Sequence, residues 1–193
     1  VQEIYDDMLR AAAAFGKAQA DMVYGEGPVG ASVMFVGEAP GAEETRLSRP
    51  FVGRAGRNLD DALGVIGLNR EEVYITNVVK FRPFKISAKG RLSNRPPAKE
   101  EIACMLPHLL REIEVAAPLV VITLGNVPLK SLLNDPAAVI GACHAQPIPA
   151  KAGAHVYTLF PLYHPASVIY NPALRTVYAD DLEALKQYLW HKM

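Results

Sequence analysis

Four short apolar runs alternate with helical patterns along this chain, and that alternation constrains the fold more than any other feature. Ser32-Val-Met-Phe-Val36 ends in Gly37, and Val73-Tyr-Ile-Thr-Asn-Val-Val79 is rich in β-branched residues. Leu119-Val-Val-Ile-Thr-Leu124 is closed by Gly125, and Val156-Tyr-Thr-Leu-Phe160 is the fourth run. Runs this short and this apolar read as strands buried on both faces. Between them lie amphipathic patterns at 3–22, 54–66 and 98–116, a short helix up to Leu133, and a C-terminal stripe of Leu174, Val177, Tyr178, Leu182, Leu185 and Leu189. Pro107 falls inside the 98–116 pattern and is expected to kink or divide it. Strand–helix alternation predicts an α/β protein: a single three-layer α/β/α domain around a central four-stranded, mainly parallel sheet. Residues 1–193 are read as that one domain, with 1–30 a helix and linker packed on it. Residues 82–97, which hold Gly90 and Pro96-Pro97, read as a long polar loop.

Charge matters here through its distribution. The 20 Lys and Arg balance the 20 Asp and Glu, so net charge alone argues against a nucleic-acid partner. Yet residues 46–57 hold Arg46, Arg49, Arg54 and Arg57 with no acid, and 77–99 hold Lys80, Arg82, Lys85, Lys89, Arg91, Arg95 and Lys99, again with none. Together these windows carry more than half of the chain's cations. Such a split can present a positive face to a phosphate backbone; two solvated loops are the bland alternative. Cys104 and Cys143 stand alone, with no C-x-x-C, and are read as two buried free thiols rather than a metal site. No apolar run approaches the roughly 20 residues of a spanning helix. The opening Val-Gln-Glu-Ile-Tyr-Asp-Asp has no basic stretch leading into an apolar one. A cytoplasmic protein without membrane contact is the expectation.

In open parallel sheets, chemistry sits beyond the carboxyl ends of the strands. Three such ends carry unusual residues. Gly37-Glu-Ala-Pro-Gly41 is a glycine-flanked turn with one carboxylate, Glu38, which could hold a water or merely cap the next helix. Asn77 closes the second strand, where its amide could read a base edge or cap a turn. His164-Pro165 follows the fourth strand, where a neutral imidazole could donate to an oxygen gaining negative charge. Phe51, inside Arg49-Pro-Phe-Val-Gly-Arg54, could stack on a nucleobase or staple the following helix. His108, His144, His155 and His191 are read as surface or structural.

Taken in order, Gly37-Glu-Ala-Pro-Gly41, Arg49-Pro-Phe-Val-Gly-Arg-Ala-Gly56, Tyr74-Ile-Thr-Asn-Val-Val-Lys80 with Arg82-Pro83, Asn94-Arg-Pro96, Leu124-Gly125 and His164-Pro165 resemble the uracil-DNA glycosylase superfamily, most closely its family-four class. The resemblance implies an enzyme that flips uracil out of DNA and hydrolyses its N-glycosidic bond, leaving free uracil and an abasic site. It implies that Glu38 positions the attacking water and that His164 contacts uracil O2. Phe51 would then stack on the base and Asn77 would read its O4 and N3 edge, with Ala39, Pro40 and Gly41 completing the pocket. Pro165, Ala166, Ser167, Val168 and Ile169 match the loop that wedges into the duplex. Phosphate contacts are expected from Arg49, Arg54, Lys80, Arg82 and Arg95. The partner is uracil-containing DNA, single- or double-stranded, bound by a monomer.

The chain departs from that pattern where family-four members hold an iron–sulfur cluster on four cysteines. Residues 1–31 contain no cysteine, Phe81 stands in Lys80-Phe-Arg-Pro83 where a cysteine is usual, and only Cys104 matches. The expectation is a protein with no metal and no cofactor, with Phe81 and apolar packing in the vacated space. The stretch Lys85-Ile-Ser-Ala-Lys-Gly-Arg-Leu-Ser93 is read as a replacement DNA contact. Gly41 stands where some relatives have a bulky aromatic that blocks the thymine methyl. The segment Ala42–Pro50 has no histidine, which disfavours covalent trapping of DNA. Two other readings are a nucleic-acid-binding paralogue without glycosylase activity, and a small-molecule enzyme acting on nucleosides or nucleotides.

Overall fold

The computed structural model describes residues 1–192. In chain order it begins with α1 (Gln2–Ala12), β1 (Val33–Gly37), the short α2 (Ala42–Leu47), α3 (Arg54–Ile66) and β2 (Tyr74–Asn77). A hairpin of β3 (Phe84–Ile86) and β4 (Leu92–Asn94) leads to α4 (Lys99–Ala116), β5 (Val120–Leu124), α5 (Asn126–Leu133) and α6 (Ile140–Cys143). The chain continues through β6 (Ile148–Ala152), β7 (His155–Leu162), α7 (Ser167–Tyr170) and α8 (Leu174–Lys192). No helix among the described residues is long and apolar enough to cross a membrane.

The central sheet runs β2-β1-β5-β7-β6. The first four strands are parallel, with Gly37 beside Asn77 and Val36 beside Thr123 in register. Both faces are covered because neighbouring residues of each strand point to opposite sides. Met34 and Val36 join Met8 of α1, Met105, Leu109 and Ile113 of α4, and Leu129 of α5 in one core layer. Val33 and Phe35 join Leu59 and Leu63 of α3 and Leu182, Leu185 and Leu189 of α8 in the other. The chain steps from β1 to β2 on one side and then returns to β5 on the other. The strand order therefore reverses beside β1, which opens a crevice at the carboxyl ends.

Several expectations are corrected. The sheet has five strands rather than four: β6 pairs antiparallel with β7 at the edge, through a turn at Gly153. Pro149 hides this strand in the sequence, since a residue without an N–H reads as a breaker, yet an edge strand tolerates it. Residues 82–97 are not simply a loop but carry the β3–β4 hairpin. The first helix stops at Ala12, is followed by a tight turn, and is closed by Gly16 in the left-handed conformation. The segment beyond it runs along the free side of β2, bridging Met22 to Phe81 and Glu26 to Ile75. Helix α4 passes through Pro107 as one element. The two thiols, Cys104 and Cys143, are half-buried rather than buried.

Lys80 is the sharpest correction. Its side chain is 0% exposed, so it cannot reach a phosphate. It enters the layer between β2 and α4, where the ammonium donates to Glu112 Oε2 and to the Asn77 carbonyl, both at 2.6 Å, and to Thr76 Oγ1. Tyr74 Oη donates to the other Glu112 oxygen at 2.8 Å and meets Tyr5 Oη at 2.8 Å. Burial pulls the Lys80 pKa down, while the Glu112 carboxylate pushes it back up. All three ammonium protons thus have acceptors, which a buried charge requires. Replacing Lys80 by Ala strands the Glu112 carboxylate and is expected to cost about 3–5 kcal/mol in urea unfolding. The paired change Lys80→Met with Glu112→Gln should recover most of it. A single variant within about 1 kcal/mol of the parent, the range of an exposed pair, would contradict this.

Candidate active site

The carboxyl ends of β1, β2, β5 and β7 bring together residues far apart in sequence. A cavity of about 340 Å³ is lined by Ala39, Pro40, Gly41, Phe51, Arg54, Asn77, Asn94, His164, Ala166, Ile169 and Tyr170. A second, of about 230 Å³, is lined by Glu38, Ala39, Pro40, Pro83, Asn94, Arg95 and His164. The two share Ala39, Pro40, Asn94 and His164, so a group held in the first lies beside the space that Glu38 faces.

Local chemistry explains how these side chains come so close. Gly37 has no side chain, and a Cβ there would lie 2.4 Å from both Asn77 Oδ1 and Phe51 Cζ. Only glycine lets the ring and the amide meet over the end of β1. Phe51 takes a left-handed backbone conformation (φ 52°), uncommon for a bulky residue. Arg70 holds it there, donating to the Phe51 carbonyl at 3.1 Å and to the Pro50 carbonyl. Glu44 binds the two loops together. One of its oxygens accepts from Gly41 N at 3.1 Å, and the other from Val52 N and Gly53 N at 3.0 and 2.7 Å. A side chain at Gly41 would meet Glu44 Oε2 at 2.8 Å, which leaves that position bare.

His164 stacks toward Phe51, with ring centroids 6.1 Å apart and planes inclined by 29°. Burial pushes its pKa down to about 4, so the ring is neutral at physiological pH. Ala166 N–H donates to Nδ1 at 3.1 Å, which leaves the single ring proton on Nε2. The imidazole is thus a fixed neutral donor. Glu38 is half-buried, and burial raises its pKa above the usual carboxylate range. Its backbone carbonyl accepts from Val79 N–H at 3.1 Å, which fixes the turn after β1. Asn77 is 2% exposed, and the carbonyl beneath its amide is the one that Lys80 grips.

The structure brings Glu38, Ala39, Pro40, Gly41, Phe51, Asn77 and His164 into the two joined cavities, and the expected cations less uniformly. Arg54 is exposed on the larger cavity, and Arg95 lines the smaller while making a bidentate pair with Glu101 at 2.7 Å. Arg82 donates to Asn94 Oδ1 at 2.7 Å, whereas Arg49 pairs with Glu26. Windows without acids in sequence therefore meet acids in space. In the segment after β7, Pro165 is buried and its carbonyl accepts from Asn58 at 3.2 Å. Ala166 and Ile169 face the larger cavity, Ser167 opens α7, and Val168 packs toward Tyr178 and Leu182.

Four contributors were not assigned from sequence. Glu44 stands three residues after Gly41, a helix-capping spacing that could have flagged it. Arg70, 19 residues from Phe51, gave no local signal. Asn94 ends β4 on the wall shared by both cavities, and Tyr170, 79% exposed, stands at the mouth of the larger one.

The residues present do not fit an iron–sulfur cluster. Phe81 is fully buried with its ring 5.7 Å from Phe15, in the same core layer as Met22 and Met105. The half-buried Cys104 turns its thiol toward the Ala11 carbonyl. Among the described residues, no group of three or more His, Cys, Asp or Glu could hold a metal ion.

Comparison with known proteins places this geometry in context. A model of the Uracil DNA glycosylase superfamily matches residues 24–190. The chain is 40% identical over 173 residues to a type-4 uracil-DNA glycosylase of Pyrobaculum aerophilum, covering 86% of this chain and 82% of that one. It is 37% identical over 180 residues to the type-4 enzyme of Saccharolobus solfataricus, covering 91% of this chain and 80% of that one. Among solved structures, wild-type Pedobacter heparinus SMUG2 superposes with a TM-score of 0.53 at 15% identity, covering 82% of this chain and 76% of that one; the fold is shared.

The half-buried imidazole has a consequence for stability. Its folded pKa of about 4 lies below the ordinary 6.5, so the native state resists protonation there. Its contribution is complete above pH 6.5 and is lost as pH falls toward 4. Unfolding free energy measured against pH should therefore drop in that window, by up to about 3 kcal/mol from this residue. His164→Gln should flatten the drop; an unchanged slope would contradict the assignment.

Proposed function

The chain belongs to the uracil-DNA glycosylase superfamily and is a uracil-DNA glycosylase of DNA repair, and from that premise we propose how its own residues release the base. The carrying observation is the pair formed by His164, a neutral ring with its proton on Nε2, and the half-buried Glu38 in the adjoining space.

Uracil extruded from the stack enters the larger cavity and lies against Phe51. The Asn77 amide, donor and acceptor side by side, pairs with O4 and N3–H. Cytosine offers an amine and a bare nitrogen on that edge, the reverse of the pattern that this orientation of the amide meets. As the C1′–N1 bond breaks, its electron pair leaves with the base and spreads onto O2. There the His164 Nε2–H donates a hydrogen bond to the developing charge. Positive charge builds on the sugar, facing Glu38. The carboxylate orients a water whose oxygen bonds to C1′, and it takes up the proton that water sheds. A neutral imidazole suits this task, since it strengthens its hydrogen bond as charge develops without having to lose a proton.

Arg54 at the cavity mouth and the partly exposed Arg82 and Arg95 contribute phosphate contacts, and Pro165–Ile169 with Tyr170 stand where the vacated stack would lie. The enzyme works as a cytoplasmic monomer on single- or double-stranded DNA.

Base release from an oligonucleotide with a single uracil, read as alkali-sensitive strand cleavage, tests this. Glu38→Ala and His164→Ala are each expected to lower kcat about 10²–10³-fold with the fold intact. On the acid side kcat/KM should rise with pH through the ionisations of His164, at about 4, and of Glu38, above the ordinary 4.5, with no step near 6.5 that His164→Gln removes. Full activity in either variant would overturn the assignment of that residue, and a step at 6.5 that His164→Gln removes would overturn the neutral imidazole.

A further inference from the structure

The hairpin of β3 and β4 projects beside the active site and carries an unusual combination of side chains. Ile86 and Leu92 are directly paired across it and are 65% and 50% exposed. Lys85, Lys89 and Arg91 are exposed elsewhere on the hairpin, and no ion pair engages them among the described residues. The turn is well formed. Gly90 takes a left-handed conformation, its N–H donates to the Ser87 carbonyl at 2.9 Å, and Arg91 N–H donates to Ser87 Oγ at 3.1 Å.

Register ties this element to the cavities. Phe84 pairs with Asn94 and Ile86 with Leu92, so all four side chains share one face of the two-stranded ribbon. Asn94 lines both cavities, and Arg82 fixes its amide oxygen. Phe84 anchors the base of the ribbon, with the Lys17 ammonium 4.7 Å from its ring centre. The face that begins at the cavity wall therefore runs outward as an exposed aliphatic pair. Lys85 lies on the opposite face with Ser93, and Lys89 sits in the turn.

We propose that this hairpin grips the uracil-bearing strand beside the extruded nucleotide, its Ile86–Leu92 pair against an unpaired base or deoxyribose face and Lys85, Lys89 and Arg91 on the flanking phosphates. The occupant is a nucleic-acid strand because the patch joins apolar surface to uncompensated positive charge, with no acid between residues 77 and 99. The strand also has to run past Asn94 if its uracil is to reach the cavity. The inference rests on the proposed function and adds a strand-holding surface outside the reacting centre. A hairpin that needs an unpaired neighbour favours single-stranded or locally opened DNA.

The test compares two substrates, a uracil trinucleotide too short to cover the hairpin and a single strand of about twenty nucleotides. Ile86→Ser with Leu92→Ser should lower the long-to-short ratio of kcat/KM about tenfold. Lys85→Gln, Lys89→Gln and Arg91→Gln together should reduce the salt slope of binding to a uracil-free strand by about 2. Thermal unfolding checks that each variant is folded, as expected for exposed positions. An unchanged ratio and an unchanged salt slope in folded variants would overturn the proposal. If the parent protein released no uracil at all, the reading of the active site would fail, yet the salt slope on uracil-free DNA would still decide the hairpin. Strand binding that survives all five substitutions would assign the patch to another partner and overturn it.

Discussion

The Lys80–Glu112 ion pair lies under the active site with almost no exposed surface, and much of the site's geometry hangs on it. A buried ammonium must satisfy three protons, and here it does so on a carboxylate of α4, a threonine of β2 and the carbonyl of Asn77. The last contact links the core to the chemistry. It fixes the backbone at the point where β2 ends and the Asn77 amide faces the cavity. Tyr74 and Tyr5 extend the network to the first helix, so a polar cluster ties α1 and α4 to one strand end. Such a cluster contributes position more than stability, because a matched apolar pair could fill the same space at similar free energy.

Above this foundation, two further charges hold the pocket open in one shape. Glu44 gathers three backbone N–H groups from the loops after β1 and before α3, and Arg70 holds the carbonyls of Pro50 and Phe51. Neither needs to touch the base. They set the angle at which the Phe51 ring faces His164, and Gly37 removes the one Cβ that would obstruct it. In the proposed mechanism an extruded base meets hydrogen-bond partners that are already oriented, the condition under which electrostatic stabilisation of a leaving anion is strongest. Phe81, with Phe15, Met22 and Met105, closes the core behind β2 by apolar packing alone.

The sequence made the site more legible than the charge. Glu38, Asn77 and His164 each close a strand, and strand ends can be found from apolar runs alone; their meeting then follows from parallel topology. Phe51 was visible as an aromatic between proline and glycine, but the left-handed backbone that aims it depends on Arg70, which no local pattern reveals. Lys80 was misread because a lysine in a cation-rich window looks solvated, and its acidic partner lies 32 positions away. Arg49 and Arg95 likewise meet acids, Glu26 and Glu101, that lie outside their cation-rich windows. Edge strand β6 was hidden by Pro149, and the β3–β4 hairpin by its brevity: three residues in each strand, with no buried face, are too few to stand out as a strand.

The claim at the centre of this account is that His164 enters the reaction as a neutral ring with its proton on Nε2. Nitrogen-15 NMR of the histidine rings, followed across pH and then with free uracil added, reads that state directly. The account predicts a neutral Nε2–H form with a midpoint near 4, whose Nε2 proton moves downfield when uracil binds. A ring that takes up a proton near the ordinary 6.5, or an Nε2 proton indifferent to uracil, would contradict it.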